Sequence, residues 1–160
     1  MLGAVLLYVG IVLISNGIAG IQNIDSKSQS IINLFTGGLG LILNIFSIIQ
    51  GNYYAGATGL LFAFTYLYIA LNGIFNLDNR LYGWYSLFVA INSIPCGILS
   101  MKTDMRMAII WWAWGILWLT GWISCVLKIE LKKLPSILSI IEGIITAWIP
   151  GFLMLINLWN

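Results

Sequence analysis

Glu142, in the run "SIIEGIITAWIP", is the one ionisable acid or base placed inside a long apolar segment; Asp25, Asp78, Asp104, Glu130 and all seven basic residues fall in polar stretches. A charge at such a position costs about 3 kcal/mol on insertion scales, so these residues usually face a bundle interior or a wet cavity. The apolar segments hold no Lys, Arg or His to pair with it. That leaves a polar path through the protein, a proton carrier, or a protonated carboxyl hydrogen-bonded across helices, with Asn16 as partner. Intramembrane catalysis is disfavoured: histidine is absent, the two cysteines stand alone, and no nucleophile-plus-base pair accompanies Glu142. Nothing in the chain suits a metal or another cofactor.

The second chemical signal is "IIWWAWGILWLTGW", Ile109 to Trp122, with five tryptophans. At about 100° per residue, Trp111, Trp114, Trp118 and Trp122 share one face of a helix and Trp112 points elsewhere. The stripe is roughly 16 Å tall at the rise of an α-helix, too tall for an aromatic belt at one membrane depth. It is either a wall packed on neighbouring helices or lipid, or one side of a narrow aromatic slot. Leu2, Leu6, Val9, Leu13 and Asn16 form a comparable stripe near the N-terminus, and Phe62 and Tyr66 lie one turn apart in a third segment.

The elements that carry these residues follow from composition. The chain of 160 residues is 61% hydrophobic and 8% charged, with a mean hydropathy of +0.99. Soluble domains carry about 25% charged residues, so this is an all-α integral membrane protein. Polar stretches divide it into six segments of spanning length, 3–22, 31–50, 55–75, 82–100, 107–127 and 135–157. Their short connectors, "QNIDSKSQS", "GNYYAG", "NLDNR", "MKTDMR" and "KIELKKLP", predict one compact six-helix domain over residues 1–160. The N-terminal segment lacks a basic leader region and reads as the first permanent span. Connectors one, three and five hold five basic residues against two in connectors two and four, which places both termini outside. Three helices on either side of Arg80 permit a 3+3 inverted repeat. Cys96 and Cys125 fall at opposite ends of neighbouring helices and cannot pair. Glycines 37, 38 and 40, with Gly143, Ala147 and Gly151, read as packing devices. A net charge of +2, without a basic cluster, excludes nucleic acid as a partner.

The runs "MLGAVLLYVGIVLISNGIAG", "ATGLLFAFTYLYIALN", "WYSLFVAINSIP", "AIIWWAWGILWLT" and "IIEGIITAWIP" closely resemble the bacterial urea and amide channel family (UreI/AmiS), nearer to its urea branch. The resemblance covers nearly all six helices. It implies a passive channel of the bacterial inner membrane, one pore per protomer, in a hexameric ring around central lipid. It implies urea as solute, with water, ammonia or ammonium and small amides as further candidates, feeding a cytoplasmic urease. It assigns Leu2, Leu6, Val9 and Trp111 to an outer constriction. Leu13, Phe62, Tyr66, Trp114, Leu117 and Trp118 go to an inner one, with Glu142 and Asn16 beside the pore. Family members opened by acid use histidines and carboxylates in longer outer loops; with no histidine here, the expectation is a pore that is not acid-gated. The alternatives are a channel for short aliphatic amides and a proton-coupled urea transporter using Glu142.

Overall fold

The computed structural model describes residues 1–159. Five helices, α1 (Leu2–Gln22), α2 (Ser26–Ile49), α3 (Tyr53–Phe75), α4 (Arg80–Ser100) and α5 (Met105–Cys125), are followed by a sixth span, Leu134–Leu155. This last span is α-helical over Leu134–Glu142 (α6), π-helical over Gly143–Trp148 and α-helical again over Ile149–Leu155 (α7). All six spans are long and apolar enough to cross a membrane, and no strand occurs among the described residues. The chain is a multi-pass membrane protein.

Local chemistry sets the ends. Asp25 caps α2 by accepting from the Ser28 backbone N–H at 2.9 Å, so the helix starts at Ser26 rather than near residue 31. Much of what reads as the first connector is thus the polar first turn of α2. Asp104 caps α5 in the same way through Arg106 N. Asn23 and Asn76 close α1 and α3 in the left-handed conformation, φ 56° and 52°. Gly51, φ 85°, makes the tight reversal between α2 and α3.

Packing is strongest within three antiparallel pairs, α2 with α3, α4 with α5, and α1 with the sixth span; contacts between pairs are thinner. This is a division into three pairs rather than two triplets. The close α2–α3 pair has its 3+3 counterpart in α5 with the sixth span, which touch only lightly.

Small residues make the pairs tight. Gly3, Gly10 and Gly17 recur every seven residues along one face of α1. A Cβ on Gly3 would lie 2.9 Å from Gly151 O and one on Gly10 2.7 Å from Trp148 N, while one on Gly17 would collide with Ser136 O. Gly143 and Gly151 face α1 from the other side, as expected. On α2, Gly37 and Gly40 face α3, but a Cβ on Gly38 would meet nothing within 4 Å, so Gly38 is not a packing device.

Helix α2 is built inside out. Ser30, Asn33, Gly37, Gly40, Asn44 and Ser47 are buried, while Leu34, Phe35, Ile42, Ile45, Phe46 and Ile49 are exposed. In lipid the apolar face has no reason to turn inward, and small polar side chains let backbones approach. Cys96 and Cys125 are free and lie at opposite ends of the α4–α5 pair, Cys125 against Gly83 near the start of α4.

Candidate functional site

Two cavities run between the helix pairs, one toward each end of the bundle. The first, about 250 Å³, is bounded by Met1, Tyr54 and Thr103 at its mouth and by Leu2, Leu6 and Trp111 deeper in. The second, about 210 Å³, opens among Gln29, Tyr82 and Ser136 and is lined inside by Leu13, Asn16, Tyr66, Leu117 and Trp118. Phe62 and Trp114 line both, so these two rings stand at the junction. Met1 shares its end with connectors two and four, and Trp159 joins them by donating to Asp104 Oδ2 at 2.8 Å. Both chain ends therefore lie on the side of the even-numbered connectors, as the alternation of six spans requires.

The junction is an aromatic cluster centred on Phe62, from α3. Its ring centroid is 4.6 Å from Trp114 and 4.8 Å from Trp118, both edge-to-face, and 5.7 Å from Trp111. Trp111 and Trp114 also meet edge-to-face at 5.3 Å. Such geometries suit the ring quadrupoles, and each of the four rings lines at least one of the two cavities. Both indole N–H groups nearest Phe62 are taken up by threonines: Trp114 Nε1 donates to Thr146 Oγ1 at 2.8 Å and Trp118 Nε1 to Thr65 Oγ1 at 3.1 Å, Thr65 itself lining the second cavity.

Ten of the twelve site residues expected from sequence line one or both cavities. Leu2, Leu6 and Trp111 are on the side of the even-numbered connectors; Leu13, Asn16, Tyr66, Leu117 and Trp118 are on the other; Phe62 and Trp114 serve both. Val9 lines neither and is 1% exposed in the core. Glu142 also lines neither; it is 6% exposed, and its Oε2 has no hydrogen-bond partner among the described residues. Nor is Asn16 its partner. Asn16 Oδ1 accepts from Asn33 Nδ2 at 2.6 Å and Gln29 Nε2 at 3.0 Å, and Asn16 Nδ2 donates to Asn33 Oδ1 at 3.0 Å. The reason is α2, whose early start brings its first turns alongside Asn16. Trp122 leaves the stripe: it packs on Trp84 of α4, centroids 6.3 Å apart. Trp112 faces α4 as well, its ring over Gly97 and its N–H toward Ile94 O.

Sequence reading passes over Thr65, Thr146, Asn33 and Gln29. Thr146 carries a usable signal, four residues after Glu142 and hence on its face, and Asn33 is a polar residue in an apolar run. Thr65 has none beyond adjacency to Tyr66.

The ends of the bundle carry the fixed charge. At the end of the even-numbered connectors Asp104 pairs with Arg106 at 3.0 Å, and the Arg106 guanidinium sits 4.3 Å over the Trp159 ring. Burial pushes the Asp104 carboxyl up, but hydrogen bonds from Arg106 and Trp159 outweigh it and hold the group below its usual range. At the other end the Arg80 side chain holds Asp78 at about 2. No cluster of His, Cys, Asp and Glu able to hold a metal occurs among the described residues.

Known proteins share this arrangement. Residues 1–158 match the AmiS/UreI family of transporters. The chain is 50% identical, over 99% of its length and all of the relative's, to an acid-activated urea channel of Helicobacter pylori. It is 34% identical, over 99% of its length and 78% of the relative's, to a putative amidate substrates transporter protein of Mycolicibacterium smegmatis. The crystal structure of the Helicobacter pylori urea channel superposes with a TM-score of 0.93 at 51% identity, covering all of both chains. A cryo-EM structure of that channel in a closed state gives the same values. These relatives are channels and transporters rather than enzymes, and the chain belongs to the AmiS/UreI family of transporters.

Proposed function

We propose that the protein is a passive urea channel of the bacterial inner membrane, with one pore per protomer and its termini outside. The observation that carries this reading is the Phe62–Trp111–Trp114–Trp118 cluster between two cavities at opposite ends of the bundle. The urea channel named among its relatives supports the choice of solute. Urea is flat and neutral, so ring faces can pass it edge by edge, while an ion would shed hydration there with nothing to replace it. Polar groups at the cavity walls, Asn16, Gln29 and Ser139 on one side and Asn44 and Thr58 on the other, can exchange hydrogen bonds with it on the way. Weak binding throughout keeps it moving. On the family resemblance the protomers form a hexamer around lipid and supply a cytoplasmic urease, with water, ammonia and small amides as further permeants. The pore is not acid-gated. The end-to-end match to the acid-activated relative spans 194 positions against 160 residues, so at least 34 internal positions of that channel have no counterpart here.

Stopped-flow shrinkage of proteoliposomes with urea, acetamide and glycerol tests the assignment. Rapid equilibration of urea, slower acetamide and little glycerol is expected. Preference for acetamide would instead select the amide reading, which the Mycolicibacterium relative favours. Accumulation of urea against its gradient, driven by a pH difference and abolished in Glu142→Gln, would replace the channel by a proton-coupled transporter.

A further inference from the structure

Two buried threonines on different helices hold the two central tryptophans in the same way. Thr65 Oγ1 donates to Leu61 O at 2.7 Å and Thr146 Oγ1 to Glu142 O at 2.6 Å, each to the carbonyl one turn back. A hydroxyl has one hydrogen, so each oxygen is left with only lone pairs for a second partner. Each lone pair takes an indole N–H, from Trp118 and Trp114 respectively. All four side chains are 8% exposed or less. An indole N–H can only donate, so in each pair the threonine oxygen is the acceptor and the direction is fixed; Leu61 O accepts from the Tyr85 hydroxyl as well, at 2.7 Å. Thr146 lies in the π-helical segment Gly143–Trp148, whose altered winding sets where its hydroxyl meets α5.

We propose that Thr65 and Thr146 are specificity-determining positioning residues: they occupy the Trp118 and Trp114 N–H donors, Thr65 at the cavity wall itself, so a solute passing these two rings finds neither indole donor free. A freed indole N–H beside Phe62 would be a donor in an apolar passage, well placed to hold a urea carbonyl. It would slow release and favour strong acceptors over weak ones. The inference rests on the proposed passage of a small amide through this cluster.

Thr65→Val and Thr146→Val keep the shape and remove the acceptor; Thr65→Ser and Thr146→Ser keep the hydroxyl. Saturation of urea and thiourea flux is measured in proteoliposomes of equal protein content. In either valine variant the half-saturating urea concentration is expected to fall about three- to tenfold, the effect of one gained hydrogen bond. Thiourea, a weaker acceptor, changes less, and serine restores the parental ratio. The Thr65→Val effect should vanish in a Trp118→Phe background, which keeps a ring and lacks the donor. Parental saturation in both valine variants, or an effect undiminished by Trp118→Phe, overturns the proposal. Ultraviolet resonance Raman spectra of the parent minus Trp114→Phe and minus Trp118→Phe test the bonds without any threonine variant; free indole N–H signatures in both differences overturn it too. A parent impermeable to urea refutes the urea reading itself, and the parental control separates that result from failure of the latches.

Discussion

Individual side chains divide into rings that line the two cavities and polar groups that hold them. Trp114 is 3% exposed and Trp118 7%, yet both line a cavity, so truncation opens the passage rather than a remote core void. Trp114→Ala or Trp118→Ala is expected to lose about tenfold of the preference for urea over glycerol, the scale of a lost apolar pocket contact. Flux assays with both solutes check this; parental selectivity in both variants would remove these rings from the pore wall. Trp112→Phe, on the face turned to α4, leaves that preference in place. The spacing of the tryptophans gives the direction of the stripe but not its neighbours, because the stripe meets Phe62 of α3 along its middle and Trp84 of α4 at Trp122. The Asn16–Asn33–Gln29 cluster lies beyond sequence reading for a related reason. Asn33 too is a polar residue in an apolar run, and pairing Glu142 with Asn16 ignores which helix end lies between.

Helices recognised from apolar length agree with the structure to within a few residues, except where a cap decides. Asp25 and Asp104 each accept from a backbone N–H of the following turn, which a reading of hydropathy counts as connector. What length and hydropathy do not convey is which helices pair, since every span is apolar. The pattern that does carry it is the seven-residue repeat of Gly3, Gly10 and Gly17, matched by the small, polar seam of α2. Gly10→Ala would place a methyl 2.7 Å from the Trp148 backbone and must push α1 from the sixth span. It is expected to cost about 1–3 kcal/mol and lower the thermal midpoint in detergent. Gly38→Ala, with open space around it, leaves the midpoint unchanged or raises it. Equal behaviour of the two variants would sink the pairing argument.

The molecule as a whole is almost without groups that change charge near neutrality. It has no histidine, and Asp25, Asp78 and Asp104 are each held below the usual carboxylate range. A carboxylate lowered in the folded state contributes stability above its unfolded value, near 4, and loses it only as pH falls through the folded value. For Asp78 that is about 2. Between pH 7.5 and 5 these groups stay ionised in the connectors at both ends of the bundle, so urea permeability of proteoliposomes is expected to be level across that window. A steep rise on acidification would contradict it and direct attention to Glu142. The three-pair architecture bears on how the channel proposed above diversifies. Its two cavities lie in the seam among three two-helix units rather than within one of them. Substitutions at the seam can therefore retune which solute passes while each unit keeps its own glycine-tight backbone contacts. Stability and the shape of the seam are thereby assigned to largely separate sets of residues, so one framework can keep its fold while the seam changes.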